Sequence, residues 1–126
     1  MTKETVKTTK APAAIGPYSQ AVKFGEIVFI SGTLGINPVT GQLADGDVEN
    51  QTKQSLENLK AVLEASGSSF DKVLKTTVFI KDMNDFPVVN KIYGEYFNVN
   101  QPARSTVEVA RLPKDGLVEI EAIAFV

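Results

Sequence analysis

The sequence predicts an α+β fold, a single mixed β-sheet with two helices packed on one face. Three features carry that reading. Segments with the two-residue period of strands flank and separate two segments with the helical period. Runs of β-branched and aromatic residues are bounded by Gly, Pro and Asp. The 126 residues contain no repeat, linker or low-complexity tract, so residues 1–126 are read as one domain.

Residues 1–13 are polar and are expected to be a loose arm. "YSQAVKFGEIVFISG" follows as two short strands turning at Gly25-Glu26. "GINPVTGQLADGD" carries Gly35, Pro38, Gly41 and Gly46, and reads as a loop. Asp47 is placed to cap a helix. Val48, Ser55, Leu56, Leu59, Val62 and Leu63 fall on one stripe of it, and Gly67 stops it. "DKVLKTTVFI" is a strand. A second helix opens near Asp85, with Pro87 tolerated in its first turn. Val88, Val89, Ile92, Tyr93, Tyr96 and Phe97 form its apolar side. Strands over Arg104–Val109 and Leu117–Phe125, joined through Pro-Lys-Asp-Gly, complete the order ββ-α-β-α-ββ.

"IVFI" and "VFI" are apolar at consecutive positions, so both sheet faces call for cover there. Two helices cover one face. Self-association through the other is the inference, and cyclic symmetry is its usual form.

Composition narrows the chemistry. Apolar residues make up 43% and charged residues 22%, a globular mixture. The net charge of −2 and the absence of a basic stripe argue against nucleic-acid binding. There is no Cys and no His, which excludes thiolate and imidazole nucleophiles, disulfides and the usual zinc sites. Proton transfer falls to carboxylates, Tyr, Lys or water. The first residues lack an apolar signal core, and no apolar run reaches the roughly 20 residues of a membrane span. The expected location is cytoplasmic, with no membrane partner.

The closing segment holds the candidate site residues. Arg104 is either a strand-end arginine, in solvent or in an ion pair, or a fork for a planar carboxylate, worth about 1.5–3 kcal/mol per charge-assisted bond. Glu119 and Glu121 alternate with Val118, Ile120 and Ala122, so they share a face with Ile123 and Phe125. For one isolated strand the plain reading is a solvated face. The apolar neighbours give the alternative that at least one of the two carboxylates sits in a pocket, where desolvation would raise its pKa and suit it to acid–base work. Tyr18 is core or a site wall. "SGTLG" lacks the ending of a phosphate loop, and its glycines fit a close approach of backbone instead. "DGDVE" misses calcium-loop spacing and is read as a helix cap. Lys114 sits in a turn, where a lysine is usually solvated.

"APAAIGPYSQAV", "ISG", "KTTVFIKDMNDFPVVN" and "PARSTVEVARLPKDGLVEIEAIA" resemble the reactive-intermediate deaminase (RidA or YjgF) family, from Ala11 to Phe125. The resemblance implies a chorismate-mutase-like fold and a homotrimer with sites in the clefts between subunits. It implies hydrolysis of 2-imino acids or their enamine tautomers, released by pyridoxal-phosphate dehydratases, to 2-oxo acids and ammonia. These small molecules are the expected partners, and no metal or cofactor is implied. On the matching positions, Arg104 would anchor the substrate carboxylate and Glu119 would position water. Tyr18, Gly32, Asn90 and Thr106 would contact substrate; Glu121 has no match and is read as structural. Many members carry Cys where Thr106 stands, and the "NVNQ" link is shorter than in some. Two rival readings stay open: a non-catalytic trimeric binder of small carboxylates, acting as regulator or chaperone, and a ribonuclease or translation inhibitor. The acidic balance and missing His argue against the latter.

Overall fold

In the computed structural model, which describes residues 1–126, two helices lie on one face of a six-stranded sheet. The elements are β1 (Lys3–Val6), β2 (Ala21–Phe24), β3 (Ile27–Leu34), α1 (Val48–Ala65), β4 (Val73–Ile80), α2 (Phe86–Tyr96), β5 (Ala103–Glu108) and β6 (Val118–Phe125). The strand order is β1-β2-β3-β6-β4-β5. Only β4 and β5 pair in parallel, because α2 carries the chain from one to the other.

The expected strands and helices form, for visible reasons. Gly25 turns β2 into β3 at φ 62°. Asp47 accepts the Glu49 amide at 3.1 Å and caps α1. At the other end Gly67 adopts φ 83°, and the Ser68 amide returns to Leu63 O at 2.8 Å. Every residue of the α1 stripe is buried; Leu56, Leu59 and Leu63 meet Val28, Ile80, Val118 and Ile120 in one core. Each leucine buried there contributes about 1.5–3 kcal/mol.

Two expectations need correcting. Residues 1–13 are not wholly a loose arm: Lys3–Val6 pair with β2, from Lys3 opposite Phe24 to Val6 opposite Ala21. Backbone pairing holds this short polar segment, and the buried Val6 anchors it. On α2, Val88 faces outward, since the helix packs through Val89, Ile92 and Tyr93.

The second sheet face is bare within the chain. Along β6, Val118, Ile120, Ala122 and Ala124 turn toward the helices and are buried. Glu119, Glu121, Ile123 and Phe125 therefore occupy the opposite face. The register adds Phe24, Ile27, Phe29, Phe79 and Val107 to that face. Phe24, Phe29, Val107 and Phe125 are exposed. Aromatic residues bury 150–250 Å² each, so roughly 400 Å² of apolar surface faces water here, in the range that marks interaction sites.

Candidate active site

The candidate residues form two separate groups, one on each sheet face. The first surrounds Glu119. Between Ile30 and Thr33 the β3–β6 register shifts, so Ser31 and Gly32 form a bulge beside Glu119. Ser31 fixes the bulge by donating its hydroxyl to Ser19 O at 2.6 Å. Thr33 donates to Ile120 O at 2.9 Å, and Ser55 of α1 donates to Thr33 O at 2.8 Å. Gly32 is needed there: a Cβ on it would stand 2.7 Å from Cδ of Glu119.

Glu119 and Gly32 open onto a cleft of about 890 Å³, also lined by Tyr18, Ser31, Lys114 and Glu121. The segment Ala11–Ala13 forms part of its wall. One side chain secures that wall: Gln20 accepts the Thr8 amide at 2.7 Å and donates to Pro12 O at 2.7 Å. Tyr18 is half exposed, its hydroxyl accepting the Ile15 amide at 3.3 Å. Lys114 donates to Gly41 O at 3.1 Å and ties the 112–116 turn to the loop before α1. Burial raises the Glu119 pKa above the ordinary carboxylate value, and the neighbouring Glu121 charge adds to it.

The second group surrounds Arg104. Arg104 pairs in register with Thr76, whose hydroxyl meets Tyr93 of α2 at 2.7 Å. Arg104 therefore lies on the helix face of the edge strand β5. Its Nη1 donates to Asn90 Oδ1 at 2.8 Å. Its guanidinium carbon sits over the rings of Tyr93 at 4.8 Å and Phe86 at 5.5 Å. No carboxylate pairs with it; the two ion pairs of the chain are Lys53–Glu49 and Arg111–Asp115. A cation held by an amide oxygen and aromatic faces keeps its charge for an incoming anion.

Thr106 follows on the same face of β5, and its Oγ1 is buried without a hydrogen-bond partner. A thiol, a weak donor, would lose less there than a hydroxyl does. Glu108, the remaining acid of β5, accepts the Met83 amide at 2.8 Å and caps the turn into α2.

One chain does not bring Arg104 and Glu119 together. Glu119 aligns with Phe79 and Arg104 with Thr76, three residues apart along β4 and on opposite sides of it. With strands about 4.8 Å apart and about 3.3 Å per residue, their Cα atoms are roughly 14 Å apart, and the side chains leave by opposite faces. Tyr18 and Gly32 stay with Glu119; Asn90 and Thr106 stay with Arg104. Phe86 and Tyr93 were not singled out as neighbours of Arg104 from the sequence. The signal was available, since Phe86, Asn90 and Tyr93 occupy i, i+4 and i+7 of one helix stripe.

Residues 8–126 match the family model described as endoribonuclease L-PSP. A RutC family protein of Pyrococcus horikoshii is 56% identical over 123 residues, covering 98% of each chain. The 2-iminobutanoate/2-iminopropanoate deaminase of Salmonella typhimurium is 54% identical, covering 96% of each. Among solved structures, E. coli TdcF with bound serine superposes with a TM-score of 0.94 at 47% identity, over 98% of each chain.

Proposed function

We propose that this chain, which belongs to the endoribonuclease L-PSP (RidA/YjgF) family, hydrolyses 2-imino acids to 2-oxo acids and ammonia in clefts between copies of itself. The observation that carries the reading is the division of the site. One half is a guanidinium with no anionic partner on an edge strand. The other is a half-buried carboxylate in a cleft beside a bare apolar sheet face. Covering that face with a second copy is the way to bring a β5 edge to a neighbour's Glu119 cleft. Three copies in a ring would form three such sites, with a mass of about 41 kDa, three times 13.6 kDa.

The reaction needs little beyond positioning. Arg104 binds the substrate carboxylate through parallel donors, with Asn90 and Thr106 beside it. Glu119, as a carboxylate, accepts a proton from water while the water oxygen bonds to the imine carbon. The substrate reacts as the protonated imine, so the C=N π pair moves to nitrogen and leaves a neutral carbinolamine. Glu119 then passes the proton it took from water to that nitrogen, ammonia leaves with the C–N bond pair, and the hydroxyl proton returns to the Glu119 carboxylate as C=O forms. Gly32 and Tyr18 border the space in which this occurs. Enamine tautomers enter after protonation at carbon. Holding water and imine in contact removes much of the entropic barrier.

The non-catalytic reading keeps the Arg104 anchor and drops the water step. The ribonuclease reading is supported by the matched family's description, against a net charge of −2 and no His. The test supplies threonine and a threonine dehydratase and follows 2-oxobutyrate with and without this protein. Release is expected to quicken with wild type and much less with Arg104→Ala. No acceleration by wild type, its trace matching that of Arg104→Ala, would overturn the deaminase reading.

A further inference from the structure

We infer that Phe86 and Tyr93 are positioning residues that hold the Arg104 guanidinium for its anion, and that Tyr93 is in turn fixed by Thr76. This rests on the reading of Arg104 as a carboxylate anchor. Arg104 is exposed on an edge strand, where a free arginine would sample many rotamers. Three contacts from one stripe of α2 restrict it: Asn90 Oδ1 accepts a hydrogen bond from Nη1, and the guanidinium carbon lies 4.8 Å from the Tyr93 ring and 5.5 Å from the Phe86 ring. The Nε–Nη2 edge keeps both of its parallel donors, the pair that a planar carboxylate accepts.

The clamp is built into the core at one side. Tyr93 is buried, stacks on Phe97 at 4.4 Å and shares a buried hydrogen bond with Thr76, the residue opposite Arg104 in the β4–β5 ladder. Thr76 thus holds the Tyr93 ring beside the strand position that carries Arg104. Phe86 is half-buried at the start of α2, next to Pro87, which fixes that first turn. Neither ring competes for the cation as a carboxylate would, so the charge is oriented without being neutralised.

The test uses two readouts. Binding of 2-oxobutyrate by the assembled protein is measured by calorimetry, with Arg104→Ala as the null. Phe86→Leu is expected to weaken binding about three- to fivefold, the value of one exposed cation–π contact. Phe86→Tyr is expected to restore it, and Tyr93→Phe, which keeps the ring, to lower the melting temperature more than the affinity. Second, the Nε–H resonance of Arg104, assigned by its loss in Arg104→Lys, is expected to be ring-current shifted in wild type and to move toward the free-arginine position in Phe86→Leu. If wild type fails to bind 2-oxobutyrate, the anchor reading falls and the resonance alone judges the clamp. An unshifted wild-type resonance, or a Phe86→Leu protein that binds 2-oxobutyrate as tightly as wild type, overturns it.

Discussion

Two inactive variants should repair each other if the site is shared between copies. Arg104→Ala loses the anchor and keeps Glu119; Glu119→Gln keeps the anchor and loses the proton acceptor. Each charge-assisted contact is worth about 1.5–3 kcal/mol, so each variant alone should fall at least about tenfold at low substrate. Within one chain the two positions are roughly 14 Å apart on opposite sheet faces. A productive site then takes Glu119 from one copy and Arg104 from the next. When equal amounts are mixed during refolding, a site draws its Glu119 from an Arg104→Ala copy half the time. It draws its Arg104 from a Glu119→Gln copy half the time. About one quarter of the sites are then intact, whatever the ring size, so activity should climb to about 25% of wild type. The assay is dehydratase-coupled 2-oxobutyrate release, with native mass spectrometry confirming mixed particles. Activity no higher than the mean of the two parents, in a sample shown to contain mixed particles, refutes the shared site.

Other consequences follow from single contacts. Gly32→Ala should cut kcat by about tenfold or more with little loss of melting temperature, because the added methyl displaces the flexible Glu119 carboxyl and not backbone. Comparing kcat with thermal unfolding checks it. Glu121→Gln removes a charge that raises the Glu119 pKa, so the acidic limb of the pH–rate profile should move to lower pH than in wild type. The sign for stability is the reverse of a salt-bridged acid. Glu119 binds its proton more tightly folded than unfolded, so its contribution is fullest below the unfolded pKa and is lost as pH rises through the folded one. Glu119→Gln should flatten that slope in urea titrations at a series of pH values. Asn58→Leu should cost about 2 kcal/mol in the same titrations, since Asn58 donates to Leu34 O and Ile36 O from a buried position.

Much of this was legible in the residues because local physics decides it. The α1 stripe, its Asp47 cap and Gly67 stop depend on spacing and dihedral preference alone. The shared face of Glu119, Glu121, Ile123 and Phe125 follows from strand alternation. β1 was not legible: Lys-Glu-Thr-Val has no marked alternation, and its structure comes from pairing with β2, 15 to 21 residues away. The opposite placement of Arg104 and Glu119 was not legible either. It depends on β4 lying between β5 and β6, and on Thr76, not a neighbour in sequence, setting the face of Arg104. Alternation says which residues share a face within one strand, and only the ladder says how faces of different strands correspond.

The division also explains where the arginine sits. An edge strand exposes unpaired backbone and is usually blunted with charge. β5 uses its edge charge differently: Arg104 is folded back onto α2 and kept from neutralisation, and Glu119 is recessed beside a glycine bulge on the other face. A folded chain that held both charges in one dry pocket would meet a desolvation penalty for each before any substrate arrived. Divided between surfaces, the guanidinium stays solvated and the carboxylate half-buried in the single chain. Under the proposed reading, substrate then bridges the two chains, binding the assembly more tightly than the free chain. By mass action it must stabilise the particle that hydrolyses it.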